Sequence, residues 1–140
     1  MIDREHAAES IVPAMADTIA PDGSEIRVLA DAAHGATRAS LCEVRLAAGA
    51  VSRPVVHRTV EEIWHVTAGR GQVWRCAPGH TATPIDVRVG DTLVIPRGWR
   101  FQFPAAADTA LVFLCYTSPP WPGPEEAEAA GPGGLGTPTV

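Results

Sequence analysis

From Glu25 to Thr117 the chain is written in short apolar runs, most alternating apolar with polar residues, and glycine or proline breaks them apart. Period-two alternation marks a strand with one buried face, and β-branched or aromatic enrichment supports the same assignment. The runs are EIRVLA, ASLCEVRL, EEIWHVTA, GQVWRCA, IDVRV, DTLVIP, RFQFPA and ALVFLCYT. Breaks at AAGA, AGRG, APGH, VGD and PRGW separate them, with no long helical period in between. Regular short strands of this kind predict an all-β sandwich or barrel. One helix candidate lies near the N-terminus, around REHAAESIVPAMAD, where Pro13 interrupts it. The closing GPEEAEAAGPGGLGTPTV is low in complexity and reads as an extended or flexible tail.

The stretch VVHRTVEEIWHVTAGRGQVW holds the densest chemistry. EEIWHVTA and GQVWRCA flank Gly69-Arg70-Gly71, which predicts a hairpin, because glycine tolerates the positive φ of a tight turn. Alternation puts Glu62, Trp64 and Val66 on one face and Ile63 and His65 on the other. In the preceding segment Val55, His57 and Thr59 share a face. One interior therefore receives Val55, His57, Glu62 and Trp64. His65 points away, and Glu61 is solvated or at a subunit contact.

Composition narrows the picture. The 140 residues suit one domain, 46% are hydrophobic, and the net charge is -5. All eleven basic residues are arginine and no basic face emerges, which argues against a nucleic-acid partner. Cys42, Cys76 and Cys115 are odd in number and widely spaced, so neither a disulfide framework nor a thiolate zinc site is expected. Cys42 and Cys115 sit in apolar runs and read as small buried residues. Met1–Ala14 has no leader pattern, and no run approaches the roughly 20 apolar residues of a spanning helix. A soluble, cytoplasmic protein without a membrane partner is expected.

Two segments together resemble the cupin superfamily. Gly49, His57, Glu62 and Gly69 fall in the frame of the first cupin motif, and Gly90, Pro96 and Gly98 in that of the second. The resemblance covers Ile26 to Pro120. It implies a cupin-type double-stranded β-helix, a jelly-roll barrel, over 26–120, with an N-terminal extension (1–25) and a Pro/Gly-rich tail (121–140). Residues stand elsewhere where the pattern has metal ligands: the first histidine is Val55 and the third is Phe101, while Ala105 replaces an asparagine.

The resemblance implies three histidines and a glutamate around a divalent transition metal; here only His57 and Glu62 remain. Catalytic metal sites usually use three protein ligands or more. No cofactor is therefore expected, the alternative being a metal held by a partial site of His57 and Glu62, with Cys115, Gln72 or Thr59 as a third ligand. Val55, Trp64, Phe101, Phe103, Phe113 and Cys115 are expected to line an apolar cavity around the pair. Apolar surroundings favour a neutral carboxyl, and an adjacent imidazole can exchange its proton. The expected function is metal-independent acid–base chemistry by His57 and Glu62, an isomerisation, dehydration or cyclisation of an apolar metabolite such as a natural-product intermediate. The alternatives are a non-catalytic ligand-binding cupin and a metal-dependent cupin enzyme. A homodimer is expected, because edge strands need cover.

Overall fold

The computed structural model describes residues 12–131 and 134–140. Within them run eleven strands: β1 (Thr18–Ile19), β2 (Glu25–Ala30), β3 (Ser40–Leu46), β4 (Val55–His57), β5 (Glu61–Ala68), β6 (Arg70–Cys76), β7 (Ile85–Arg88), β8 (Thr92–Ile95), β9 (Arg100–Gln102), β10 (Leu111–Ser118) and β11 (Ala127–Ala129). They form a six-stranded sheet, β1-β2-β3-β10-β5-β8, and a five-stranded sheet, β11-β4-β9-β6-β7. The alternating runs became strands because each buries one side of its pleat. In β5, Glu62, Trp64 and Val66 are buried while Glu61, Ile63 and His65 are exposed. Inward side chains of both sheets, including Leu46, Val66, Val73, Ile95, Phe101 and Phe113, share one core. The fold is an all-β jelly-roll barrel, the double-stranded β-helix.

Gly69 does not turn a hairpin. β5 and β6 belong to different sheets, and the chain passes from one to the other here. Gly69 has φ +74, and a Cβ on it would lie 1.7 Å from the carbonyl oxygen of Ala110. At Gly71 a Cβ would lie 2.2 Å from the carbonyl oxygen of Pro104. The glycines let a corner press against the backbone leading into β10. A corner and a hairpin both demand positive φ, so the sequence signal is the same for each.

Thr59 also departs from its expected inward face. β4 ends at His57, the chain bends through Arg58 and Thr59, and Thr59 is exposed. The N-terminal helix expectation falls mostly outside the described residues, and residues 12–17 form no helix. The described residues of the Pro/Gly-rich segment after β10 are tied to the barrel. A single 3-10 turn at Pro124–Glu126 leads into β11, which pairs with β4 so that Ala127 stands opposite His57. Farther on, Thr139 N–H donates to the Val51 carbonyl at 2.9 Å, and Val140 packs against the core.

Candidate functional site

A cavity of about 520 Å³ opens among the inward side chains, a volume typical of small-molecule sites. β4 contributes Val55 and His57, β5 contributes Glu62 and Trp64, and β10 contributes Phe113, Cys115 and Thr117. The rest of the wall comes from segments without a motif. These include Asp22 and Ser24 between β1 and β2, Cys42 and Val44 on β3, and Trp121 beyond β10.

His57 is 5% exposed and Glu62 6%. Nδ1 of His57 lies 3.8 Å from Oε2 of Glu62, too far for a hydrogen bond. That nitrogen has no hydrogen-bond partner among the described residues. The carboxylate is held from elsewhere. Trp64 Nε1–H donates to Oε1 at 2.9 Å, and the Thr117 hydroxyl donates to Oε2 at 3.3 Å. The imidazole makes T-shaped contacts with the rings of Phe101 and Trp121, with centroids 5.0 and 5.2 Å away. A buried polar atom left unpaired costs about 1–3 kcal/mol. A ligand that supplies a partner to Nδ1 recovers part of that cost.

Three further groups in this region have shifted acidity. Burial raises the Asp22 carboxyl, opposed by hydrogen bonds from the Ser24 hydroxyl (2.6 Å) and N–H (2.9 Å). Coulombic interaction with Glu62 raises it further, and that with His57 lowers it. Burial also pushes the Cys115 thiol well up, with added contributions from the Cys42 thiol opposite it and from Glu62. Glu126 ends on the other side. Burial works to raise it, but the Thr59 N–H, the Thr59 hydroxyl and the Val60 N–H all donate to its carboxylate, and together they hold it below its ordinary value.

Of the residues expected to surround the pair, Val55, Trp64, Phe113 and Cys115 line the cavity. Phe101 and Phe103 lie behind that wall, in edge contact with Trp64 at 5.4 and 5.1 Å, while Trp64 stacks on Phe113 at 4.2 Å. Gln72 donates to Asp86 on the surface, and Thr59 serves Glu126, so neither faces His57 as a third ligand. Thr117 and Asp22 were not expected at the site. Thr117 shares its parity with Cys115 on β10, and alternation could have found it. Asp22 and Trp121 lie in irregular chain, where no period assigns a face.

The donor set does not fit a three- or four-ligand metal centre. Val55 and Phe101, which stand where the pattern has histidines, are direct cross-strand partners on β4 and β9. Half of the ligand set is therefore an apolar contact. Among the described residues, no group of three or more His, Cys, Asp or Glu side chains is placed to hold a metal ion.

Barrel and cavity define a β-barrel of the kind that encloses small molecules. The chain belongs to the cupin family, whose model, described as Cupin, matches residues 13–121. No curated protein matches the chain. Among solved structures it is similar to cocosin, a coconut allergen, at 22% identity and TM-score 0.66, over 76% of this chain and 29% of that one. It is similar also to an uncharacterised conserved protein with a double-stranded β-helix domain from Klebsiella pneumoniae, at 14% identity and TM-score 0.62, over 78% and 85%. A third likeness is to the oxalate decarboxylase of Bacillus subtilis, which has Mn(II) centres, at 19% identity and TM-score 0.62, over 69% and 26%. The chain spans under a third of cocosin and of the Wrightia tinctoria 11S globulin, at 29% and 28% of their lengths. At these identities the likeness is one of fold.

Proposed function

We propose that the protein takes a largely apolar small molecule into the barrel and moves a proton on it, so as to isomerise, dehydrate or cyclise it, without a metal. The observation that supports this most directly is the buried, unpartnered Nδ1 of His57 in a cavity wall, beside a carboxylate fixed by Trp64 and Thr117. In this reading His57 accepts the proton, and Glu62 at 3.8 Å stabilises the imidazolium that forms. Val55, Trp64, Phe113 and Cys115 contact the substrate; Phe101 and Phe103 shape the wall from behind. Apolar intermediates of natural-product pathways have the required character. The protein acts in the cytoplasm as a homodimer. Support for the dimer comes from Tyr116, Ile63 and Val94, exposed residues that stand directly opposite one another across β10, β5 and β8. Ile63→Asp should then shift the sedimentation coefficient to that of a monomer.

The catalytic reading is tested by deuterium uptake from heavy water into cyclohexanone and 2-tetralone, followed by mass spectrometry. The protein should accelerate uptake over buffer. His57→Ala should slow the accelerated rate by about 100-fold or more, the scale of general base catalysis, and Glu62→Gln should slow it too. Full activity in both variants would mean that shape alone carries the function. Stoichiometric transition metal in the purified protein, by elemental analysis, would overturn the metal-independent part.

A further inference from the structure

Asp22 places a further buried carboxyl group on the cavity wall, and neither cupin motif contains it. It is 9% exposed and sits in the turn between β1 and β2. That turn is closed on itself: Gly23 N–H donates to the Ala20 carbonyl at 2.8 Å, and Ala20 N–H to the Ser24 carbonyl at 2.9 Å. Arg53 N–H donates to the Asp22 carbonyl at 2.8 Å, which ties the turn to the chain before β4. Gly23, at φ +93, packs so closely on Val140 that a Cβ would lie 2.5 Å from its Cγ2. The side chain is therefore fixed in place. Its Oδ1 takes both bonds from Ser24, and Oδ2 accepts no hydrogen bond among the described residues. A proton on this carboxyl thus belongs on Oδ2, the oxygen that Ser24 leaves free. The second, independent observation is His57 Nδ1, buried and unpartnered in the same wall.

We propose that Asp22 is a catalytic residue that donates a hydrogen bond from Oδ2 to the carbonyl oxygen of a cyclic ketone substrate, whose α-proton His57 removes. This rests on the proposed acid–base role of His57. The α C–H bond breaks, its proton goes to Nδ1 of His57, and the bonding pair moves toward the carbonyl. The oxygen takes up the charge against the Asp22 donor. Return of the proton from His57 to the α-carbon, or to the γ-carbon of a β,γ-unsaturated ketone, regenerates a ketone and leaves the protein unchanged. Burial pushes the Asp22 carboxyl above its ordinary range and so favours the protonated, donor form.

Asp22→Asn separates a donor from a charge, because the amide keeps the Ser24 bonds and offers an N–H where Asp22 offers O–H. Asp22→Ala removes both. Deuterium uptake into 2-tetralone should fall about 100-fold in Asp22→Ala, the scale of losing one donor to a developing oxyanion. In Asp22→Asn it should stay within about tenfold of the unsubstituted protein. Equal loss in the two variants, or no loss in Asp22→Ala, overturns the assignment. Binding supplies a readout without turnover. By calorimetry the protein and Asp22→Asn should prefer 2-tetralone over tetralin, which lacks the oxygen, and Asp22→Ala should lose that preference. If the unsubstituted protein shows no preference, or Asp22→Ala keeps it, the donor role is wrong. If uptake survives His57→Ala while the Asp22 results hold, the base assignment fails and the Asp22 assignment stands.

Discussion

Glu126 and Asp22 are both buried carboxyl groups, and their surroundings push them in opposite directions. Glu126 is held below the ordinary value of 4.5 by its three donors at Thr59 and Val60. Its contribution to stability is therefore complete above that value and is lost as the pH falls through the lower folded value. Asp22 is raised above the ordinary value of 3.8, so in its case stability falls as the pH rises from there through the folded value. Urea titrations of single variants separate the two. Glu126→Gln should cost about 1–3 kcal/mol at neutral pH, and the cost should shrink toward about pH 3. Asp22→Asn should be at least as stable as the unsubstituted protein at neutral pH and should lose that advantage in acid. A pH-independent difference for either variant would mean that its carboxyl has the same acidity folded and unfolded.

At the scale of strands and turns, Gly69 at the β5–β6 corner carries a demand that Gly79 does not. Gly69 and Gly79 have nearly the same φ, +74 and +73, yet a Cβ at Gly79 meets nothing within 4 Å. Gly79→Ala should therefore cost only the conformational term, about 1 kcal/mol. Gly69→Ala adds a collision with the Ala110 carbonyl and should cost at least about 3 kcal/mol, read as a drop in melting temperature. The pair also shows where sequence reasoning stops. Alternation located the strands and assigned Glu62, Trp64 and His65 to their faces, because parity is a property of the strand alone. Which strand pairs with which depends on where the chain goes after a glycine, and φ does not encode that. Thr117 followed the same parity as Cys115, so this part of the site was legible. Asp22 was not, since its place is set by Ser24, Arg53 and Val140, from three separate parts of the chain.

For the molecule as a whole, the segment after β10 matters more than its composition suggests. It buries few large side chains, so no hydrophobic period announces it; it acts by satisfying polar groups of the barrel. β11 covers the edge of β4, Glu126 caps the backbone N–H groups of Thr59 and Val60, and Gln102 Nε2 donates to the Gly136 carbonyl at 3.0 Å. Trp121 supports one side of the His57 ring, and Val140 packs behind the turn that carries Asp22. Removal of residues 121–140 should therefore destabilise the protein by at least about 3 kcal/mol, the sum of a few lost hydrogen bonds to buried groups. It should also abolish 2-tetralone exchange under conditions where the truncated chain is still folded by circular dichroism. Trp121→Ala in the full chain isolates one part of that loss. It removes one of the two T-shaped ring contacts that orient His57 and leaves β11 and Glu126 in place, so exchange should drop more steeply than stability. If the truncated chain melted with the full one and exchanged at the same rate, the segment would be a surface strap without influence on the site. The contacts to His57, Thr59 and the Asp22 turn argue that it is part of the wall.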